Sequence, residues 1–309
     1  MRVLFYGTPA FALPTLRALL DRHTVVAVVT QPDRPAGRGQ RVHPSAVKQL
    51  AAAHGLPVLQ PPRLREPGWA ERLSAFDAEV AVVVAFGQIL PRPILDVPAR
   101  GSINVHASLL PRYRGAAPIA WAIIRGERET GITTFLMDEG MDTGAILLQR
   151  ASLIGPDETA GELATRLGEL GAHVLVETLA CLPALTPVPQ DDAAATRAPR
   201  LTKEDGRLDW TRPAGELAAR IRGVNPWPGA STATPVGRLL LWRARVVPGT
   251  GQPGVLSARG GVLCVGTGAG LLQPVEVQPE NRRAMPWETF LHGARLGPGV
   301  AFGEHVRTR

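Results

Sequence analysis

The chain has 309 residues, 45% of them hydrophobic, and a formal net charge of +7. That length is enough for two packed domains, and with no run of about 18 apolar residues the sequence predicts no transmembrane helix. The two cysteines, Cys181 and Cys264, are far apart and form no motif, which excludes a disulfide framework or a zinc knuckle and leaves a reduced, cytoplasmic setting as the expectation.

The opening MRVLFYGTPAF reads as a strand. It lacks the charged, apolar and small-residue regions of a signal peptide. Further β-branched apolar runs follow at VVAVVT (25–30), EVAVVVA (79–85), residues 102–105 and ITTFLM (132–137). Continuous runs of this kind suit parallel strands covered on both faces. Between them lie helical patterns: Pro9 to Leu20, with Phe11, Leu13, Leu16 and Leu20 at helical spacing, then 68–76 and 116–125. Strands alternating with helices predict a doubly wound α/β sheet. AILLQR (145–150) follows 132–137 so closely that a hairpin return is expected. Residues 159–182 predict a long amphipathic helix with Asp157 or Thr159 as its N-cap.

Composition shifts at 183–206, a segment rich in Pro, Ala, Thr and charge that reads as a linker. Beyond it, LDWTRPAGELAARIRGVNPWPG predicts a helix ended by Asn225-Pro226. Short strands between glycines and prolines then predict a small β-barrel. Residues 1–205 hold 21 Lys+Arg against 21 Asp+Glu, whereas residues 206–309 hold 13 against 6, so the whole excess of +7 sits in the last third. A basic module joined to a neutral one fits a polyanionic partner. Codon bias toward arginine accounts for the same numbers, since Lys48 and Lys203 are the only lysines.

Gly7-Thr8-Pro9 stands where a dinucleotide fold has its glycines, but Pro9 replaces the second glycine and the G-x-G-x-x-G pattern is absent. There is no H-E-x-x-H, Cys-x-x-C, P-loop or G-x-S-x-G, so zinc, ATP and a serine elbow are unsupported. What remains is INVHASLLPRYRGAAP (103–118) and the acidic MDEGMDTG (137–144). Residues two apart in a strand share a face, so Asn104 and His106 lie side by side. The acidic segment ends a strand and is expected at the carboxyl edge of the sheet, where open α/β sheets bind ligands. Such a trio fits acyl transfer to an amine. An asparagine amide donates to a developing oxyanion, a histidine stabilises that charge or moves a proton, and a carboxylate holds the histidine and takes the amine's proton. Alone, an Asn-x-His pair is more often structural, with the asparagine closing a turn and the histidine bonded locally.

The longer string INVHASLLPRYRGAAPIAWAIIRGERETGITTFLMDEGMDTG resembles the formyltransferase family that uses 10-formyltetrahydrofolate. The resemblance runs through nearly the full chain: RVLFYGTPAFALPTL, TQPDRPAGRGQ, VVVAFGQILP, KEDGRLDW and GVNPWPGA. TQPDRPAGRG and the basic last third resemble the tRNA-acting branch. The resemblance implies a Rossmann-like catalytic domain (1–187), a linker (188–206) and a basic OB-like β-barrel that binds tRNA (207–309). It implies Asn104, His106 and Asp142 as the catalytic trio. It matches Ser108, Leu109, Leu110 and Pro111 to the folate-binding segment, and sets Phe86, Gly87 and Leu90, with loop 138–142, beside the pterin. Position 107 is alanine where relatives carry glycine, a mild departure that matters only if φ is positive there. The 30–45 segment matches a family insertion that enters the tRNA acceptor stem, which implies phosphate contacts from Arg38 and Arg41, then Arg34; a solvated surface loop is the plainer reading. The expected reaction moves a formyl group from 10-formyltetrahydrofolate, a co-substrate, to the methionine amine of charged initiator tRNA. No metal, no membrane and a monomer are expected. The same trio would serve an amino-sugar nucleotide, glycinamide ribonucleotide or water as acceptor.

Overall fold

A computed structural model describes residues 1–36 and 41–303, without the side chains of 34–36, 41 and 42. The chain forms two compact units. One contains Met1–Gly115, Thr130–Leu153 and Ala164–Ala198; the other contains Ala116–Glu129, Ile154–Leu163 and Pro199–Arg309.

The first unit is built on a seven-stranded sheet in the spatial order Val58–Leu59, Thr24–Val29, Arg2–Gly7, Val80–Val84, Ser102–His106, Glu129–Leu136, Ile146–Leu153. The first five strands pair in parallel. All five residues of Val80–Val84 are buried, as expected for a strand covered on both faces. On one face Leu4, Tyr6, Ala27, Val29, Ala81 and Val83 pack with Trp69, Leu73 and Ile94. Burying each of the larger aliphatic side chains stabilises by about 1.5–3 kcal/mol, so this layer fixes the sheet firmly.

The run at 132–137 predicts one more buried strand of the same kind. The observed strand Glu129–Leu136 is buried but antiparallel to Ser102–His106, with Asn104 opposite Phe135 and His106 opposite Thr133. Burial on both faces erases the alternation that normally marks an antiparallel strand, so the sequence carries no sign of its direction. The expected hairpin return is present as Ile146–Leu153, with the Leu136 N–H donating to the Ala145 carbonyl.

The long helix spans Ala160–Cys181 and begins with a reciprocal cap. The Thr159 hydroxyl accepts from the Glu162 N–H, and the Glu162 carboxylate accepts from the Thr159 N–H and hydroxyl. By length and composition this helix could cross a membrane. Its apolar residues Leu167, Val174, Leu175 and Leu179 are buried, however, and Gly171 lies directly over Val105 and Ile132 of the sheet.

The 188–206 segment departs from a free linker. Val188 exchanges two backbone hydrogen bonds with Ile146, and Thr196 and Ala198 bond to the 111–114 backbone, so the chain stays bound to the first unit through Ala198. Backbone pairing of this kind leaves no periodicity to read. Likewise, part of 30–45 is a two-stranded antiparallel ribbon, Arg34–Ala36 with Arg41–His43. Its start is tied down by Asp33, which accepts from Lys48 at 2.5 Å and from Gln60 at 2.8 Å.

The second unit holds the helix Ala214–Gly223 and an antiparallel sheet in the order Ala230–Thr234, Gly237–Val247, Leu271–Pro279, Val262–Gly266, Leu256–Arg259, with Met285–Pro286 beside Leu271–Pro279. Its core joins Leu217 and Ile221 of the helix to Leu239, Leu241, Val265 and Trp287. The edge strands do not pair with each other. Instead Gly299–Gly303 spans them: Leu256 N–H donates to the Val300 carbonyl and Gly303 N–H to the Ala233 carbonyl. The result is barrel-like, as expected.

Candidate active site

Asn104 and His106 end the strand Ser102–His106 on one face. His106 is 7% exposed. Its Nε2 lies 3.0 Å from the Tyr113 carbonyl oxygen. A carbonyl only accepts, so Nε2 carries the hydrogen and fixes the ring. Nδ1 is thereby left available to take a proton, 3.7 Å from Asp142 Oδ2. That separation is an ion-pair distance, too long for a hydrogen bond. The Tyr113 carbonyl, a group that sequence reading misses, is thus what orients the imidazole directly.

Asp142 reaches His106 by a route the sequence does not predict. Because Glu129–Leu136 runs antiparallel, its carboxyl end lies beside the amino end of the neighbouring strand, and Met137 N–H donates to the Ser102 carbonyl. The acidic segment therefore leaves from the edge opposite to the one expected, and the loop doubles back. Two features build that reversal. Asp138 accepts from Gly140 N–H and from the Thr143 hydroxyl, closing a tight turn. Asp142 then adopts φ +57, and its Oδ2 accepts from Gly115 N–H at 2.8 Å. Asp138 is exposed and committed to the turn, while the Asp142 side chain is 16% exposed. The carboxylate facing the histidine is Asp142.

The positions matched to the folate segment divide. Ser108 is fully buried, and its hydroxyl donates to the Arg112 carbonyl. Leu110, Phe86 and Leu90 are also buried, with Phe86 edge-on to Tyr6 at 5.4 Å between centroids. Leu109 and Pro111 are partly exposed, Gly87 is open with φ +83, and Ile89, within the same 86–90 stretch, is 77% exposed. Thr8 and Gln31 donate to the Phe86 carbonyl and hold this segment in place. Burial raises the Tyr6 hydroxyl above its ordinary pKa, so Tyr6 stays neutral.

The formyl transferase family model matches residues 1–179, and its C-terminal domain model matches residues 200–295. The chain belongs to the formyl transferase family. Among its relatives, a methionyl-tRNA formyltransferase from Geobacter sulfurreducens is 51% identical, over 98% of this chain and 97% of the relative. One from Thermus thermophilus is 49% identical, over 98% of this chain and 100% of the relative. In fold, the formyl transferase chain is similar to HypX from Aquifex aeolicus, solved in complex with tetrahydrofolic acid, at TM-score 0.65 and 19% identity; the match covers 96% of this chain and 48% of HypX.

In this formyl transferase Ala107 is not among the residues with positive φ, so its methyl is accommodated. Arg38 lies outside the described residues, as do the side chains of Arg34 and Arg41. Among the described residues no group of three or more His, Cys, Asp or Glu is arranged to hold a metal.

Proposed function

We infer that Asn104, His106 and Asp142 perform the reaction this enzyme catalyses, formyl transfer from 10-formyltetrahydrofolate to the amino group of methionyl-tRNA. The observation that carries the assignment is the approach of Asp142 Oδ2 to the free nitrogen of a histidine whose other nitrogen is committed, beside an asparagine on the same face.

10-Formyltetrahydrofolate supplies the formyl carbon and the N10 leaving group. Open backbone at Gly87 and the exposed Ile89 side chain fit a ligand with a flat polar ring and an apolar face. The neutral amine attacks the formyl carbon, a C–N bond forms, and the carbonyl oxygen gains negative charge. The Asn104 amide donates to that oxygen. His106 Nδ1 takes the proton shed by the amine, and the carboxylate of Asp142 stabilises the imidazolium that results. Collapse breaks the C–N10 bond, and the proton passes from Nδ1 toward N10.

We assign RNA binding to the last third, together with Arg34, Arg38 and Arg41. Arg238, Arg245, Arg259, Arg282, Arg283 and Arg295 are exposed on the second unit, which supports phosphate contacts there. We propose that the enzyme acts in the cytoplasm, where translation consumes its product, and as a monomer with no membrane partner. A single assay tests the function: tetrahydrofolate should be released only when charged initiator tRNA is added. Release driven by water or a small amine overturns the reading.

A further inference from the structure

The strap that follows the long helix carries one side chain with more bonds to the catalytic loop than any catalytic residue has. The Gln190 amide nitrogen donates to the Asp142 carbonyl at 2.8 Å and to the Gly144 carbonyl at 2.7 Å. Its amide oxygen accepts from Arg114 Nε at 3.0 Å. The orientation of the amide is fixed by chemistry: both carbonyls only accept, and the guanidinium only donates. Arg114 is itself anchored, with Nη2 2.8 Å from Asp192 Oδ1, an ion pair whose angle falls short of a hydrogen bond. Its backbone pairs with Thr196 and Ala198, and the Thr196 hydroxyl accepts from Tyr113 N–H at 2.8 Å.

Gln190 therefore joins two loops that meet at His106. One presents the Tyr113 carbonyl to Nε2; the other presents Asp142 to Nδ1. The second loop needs outside support. Asp142 sits at φ +57, a conformation that costs a non-glycine residue free energy unless its surroundings impose it. On the inner side Gly144 lies so close to the Leu136 carbonyl that a Cβ would collide with it. On the outer side the Gln190 amide bonds the carbonyls on both sides of Thr143.

We propose that Gln190 is a positioning residue for formyl transfer, setting the Asp142 carboxylate against His106 by clamping the Asp142 and Gly144 carbonyls to Arg114. The proposal rests on the assignment of Asp142 to the catalytic trio. A misplacement of about 1 Å costs roughly 10²-fold in rate when geometry limits the reaction. Gln190→Met keeps length and volume but removes all three bonds, and should lower kcat by about tenfold or more. If Gln190 acts on the geometry of the loop and not on binding, the KM values for folate and charged tRNA should stay within about twofold. Gln190→Glu would turn an oxygen on two carbonyl oxygens and should be at least as impaired.

The deciding measurement is a double-mutant cycle with Asp142→Asn, read as kcat alongside melting temperature. If Gln190 acts through Asp142, the double variant is no slower than Asp142→Asn alone. Multiplicative losses, or a Gln190→Met enzyme within about twofold of the parent kcat, overturn the proposal. Should Gln190→Met fail to fold, Gln190→Asn, one methylene too short to reach both loops, is judged by the same criteria. An active Asp142→Asn enzyme removes the trio assignment and this proposal together. An inactive Asp142→Asn beside a fully active Gln190→Met removes only this proposal.

Discussion

The loop that carries Asp142 and the outer face of the second unit use charge in opposite ways. Around His106 the polar groups are held by a few specific bonds. Asp138 closes a turn, Asp142 accepts from Gly115, and the imidazole donates to the Tyr113 carbonyl. On the second unit the arginines at 238, 245, 259, 282, 283 and 295 stand exposed around a core of Leu241, Val265 and Trp287. Transfer chemistry depends on where a charge is, to within about 1 Å. Counterion release depends mainly on how many charges there are. Substitutions in the two regions should therefore change different observables.

The largest effect is expected at the loop. Asp142→Asn should nearly abolish turnover, while Asp138→Asn, which keeps most of the turn, should lower kcat only a few-fold. Single-turnover formylation separates the two, and the reverse ranking would move the catalytic carboxylate to Asp138. Next come Asn104→Ala and His106→Ala, each expected to lower the transfer rate roughly 10²–10³-fold, the cost of one oxyanion donor. A loss below about tenfold in both would dissolve the trio. Neither should alter the salt dependence of tRNA binding.

On the second unit the pattern should invert. The pair Arg282→Glu and Arg283→Glu should flatten the log–log salt slope of tRNA binding by about one to two, with kcat at saturating tRNA unchanged. An unchanged slope would make the basic last third a matter of codon usage. Removal of the whole last third is a poorer test. A chain ending at Ala195 loses Thr196 and its bond to Tyr113, and leaves Ala116–Glu129 without the unit it packs in.

The smallest effect is expected at the helix cap, which serves stability alone. Thr159→Ala should cost about 1 kcal/mol, seen as a lower melting temperature with kcat preserved. The Thr159 N–H and the Arg243 guanidinium hold the Glu162 carboxyl down at about 2, below its ordinary value. A depressed carboxylate contributes stability that is present above the unfolded value and lost as pH falls through the folded one. The capped enzyme should therefore lose stability between about pH 4.5 and 2, and Glu162→Gln should flatten that limb. A limb that keeps its slope in Glu162→Gln would assign it to other carboxylates.

Much of the fold is legible in the sequence because burial writes itself into composition. The runs at 25–30 and 79–85 became Thr24–Val29 and Val80–Val84, and the helix predicted at 159–182 became Ala160–Cys181. The direction of Glu129–Leu136 is not legible, since a strand buried on both faces reads the same either way. The site divides along similar lines. Residue type and spacing single out Asn104, His106 and an acidic residue somewhere in 137–144; the choice of Asp142 follows from the family resemblance and from its position beside His106. The Tyr113 carbonyl and the Gly115 N–H cannot be named this way, because every residue has such groups. Gln190 lies in a segment whose composition reads as a linker, and only its long-range bonds reveal it.

The Gly299–Gly303 segment has a consequence beyond the architecture of the second unit. A sheet rim left open presents a row of unsatisfied amides and carbonyls on which another chain can add a strand. Here the segment occupies parts of two rims at once, taking Leu256 on one and the Ala233 carbonyl on the other. Five residues thus act as a guard against self-templating. Their removal would be felt first as protein lost to aggregation, with the chemistry of each surviving molecule intact.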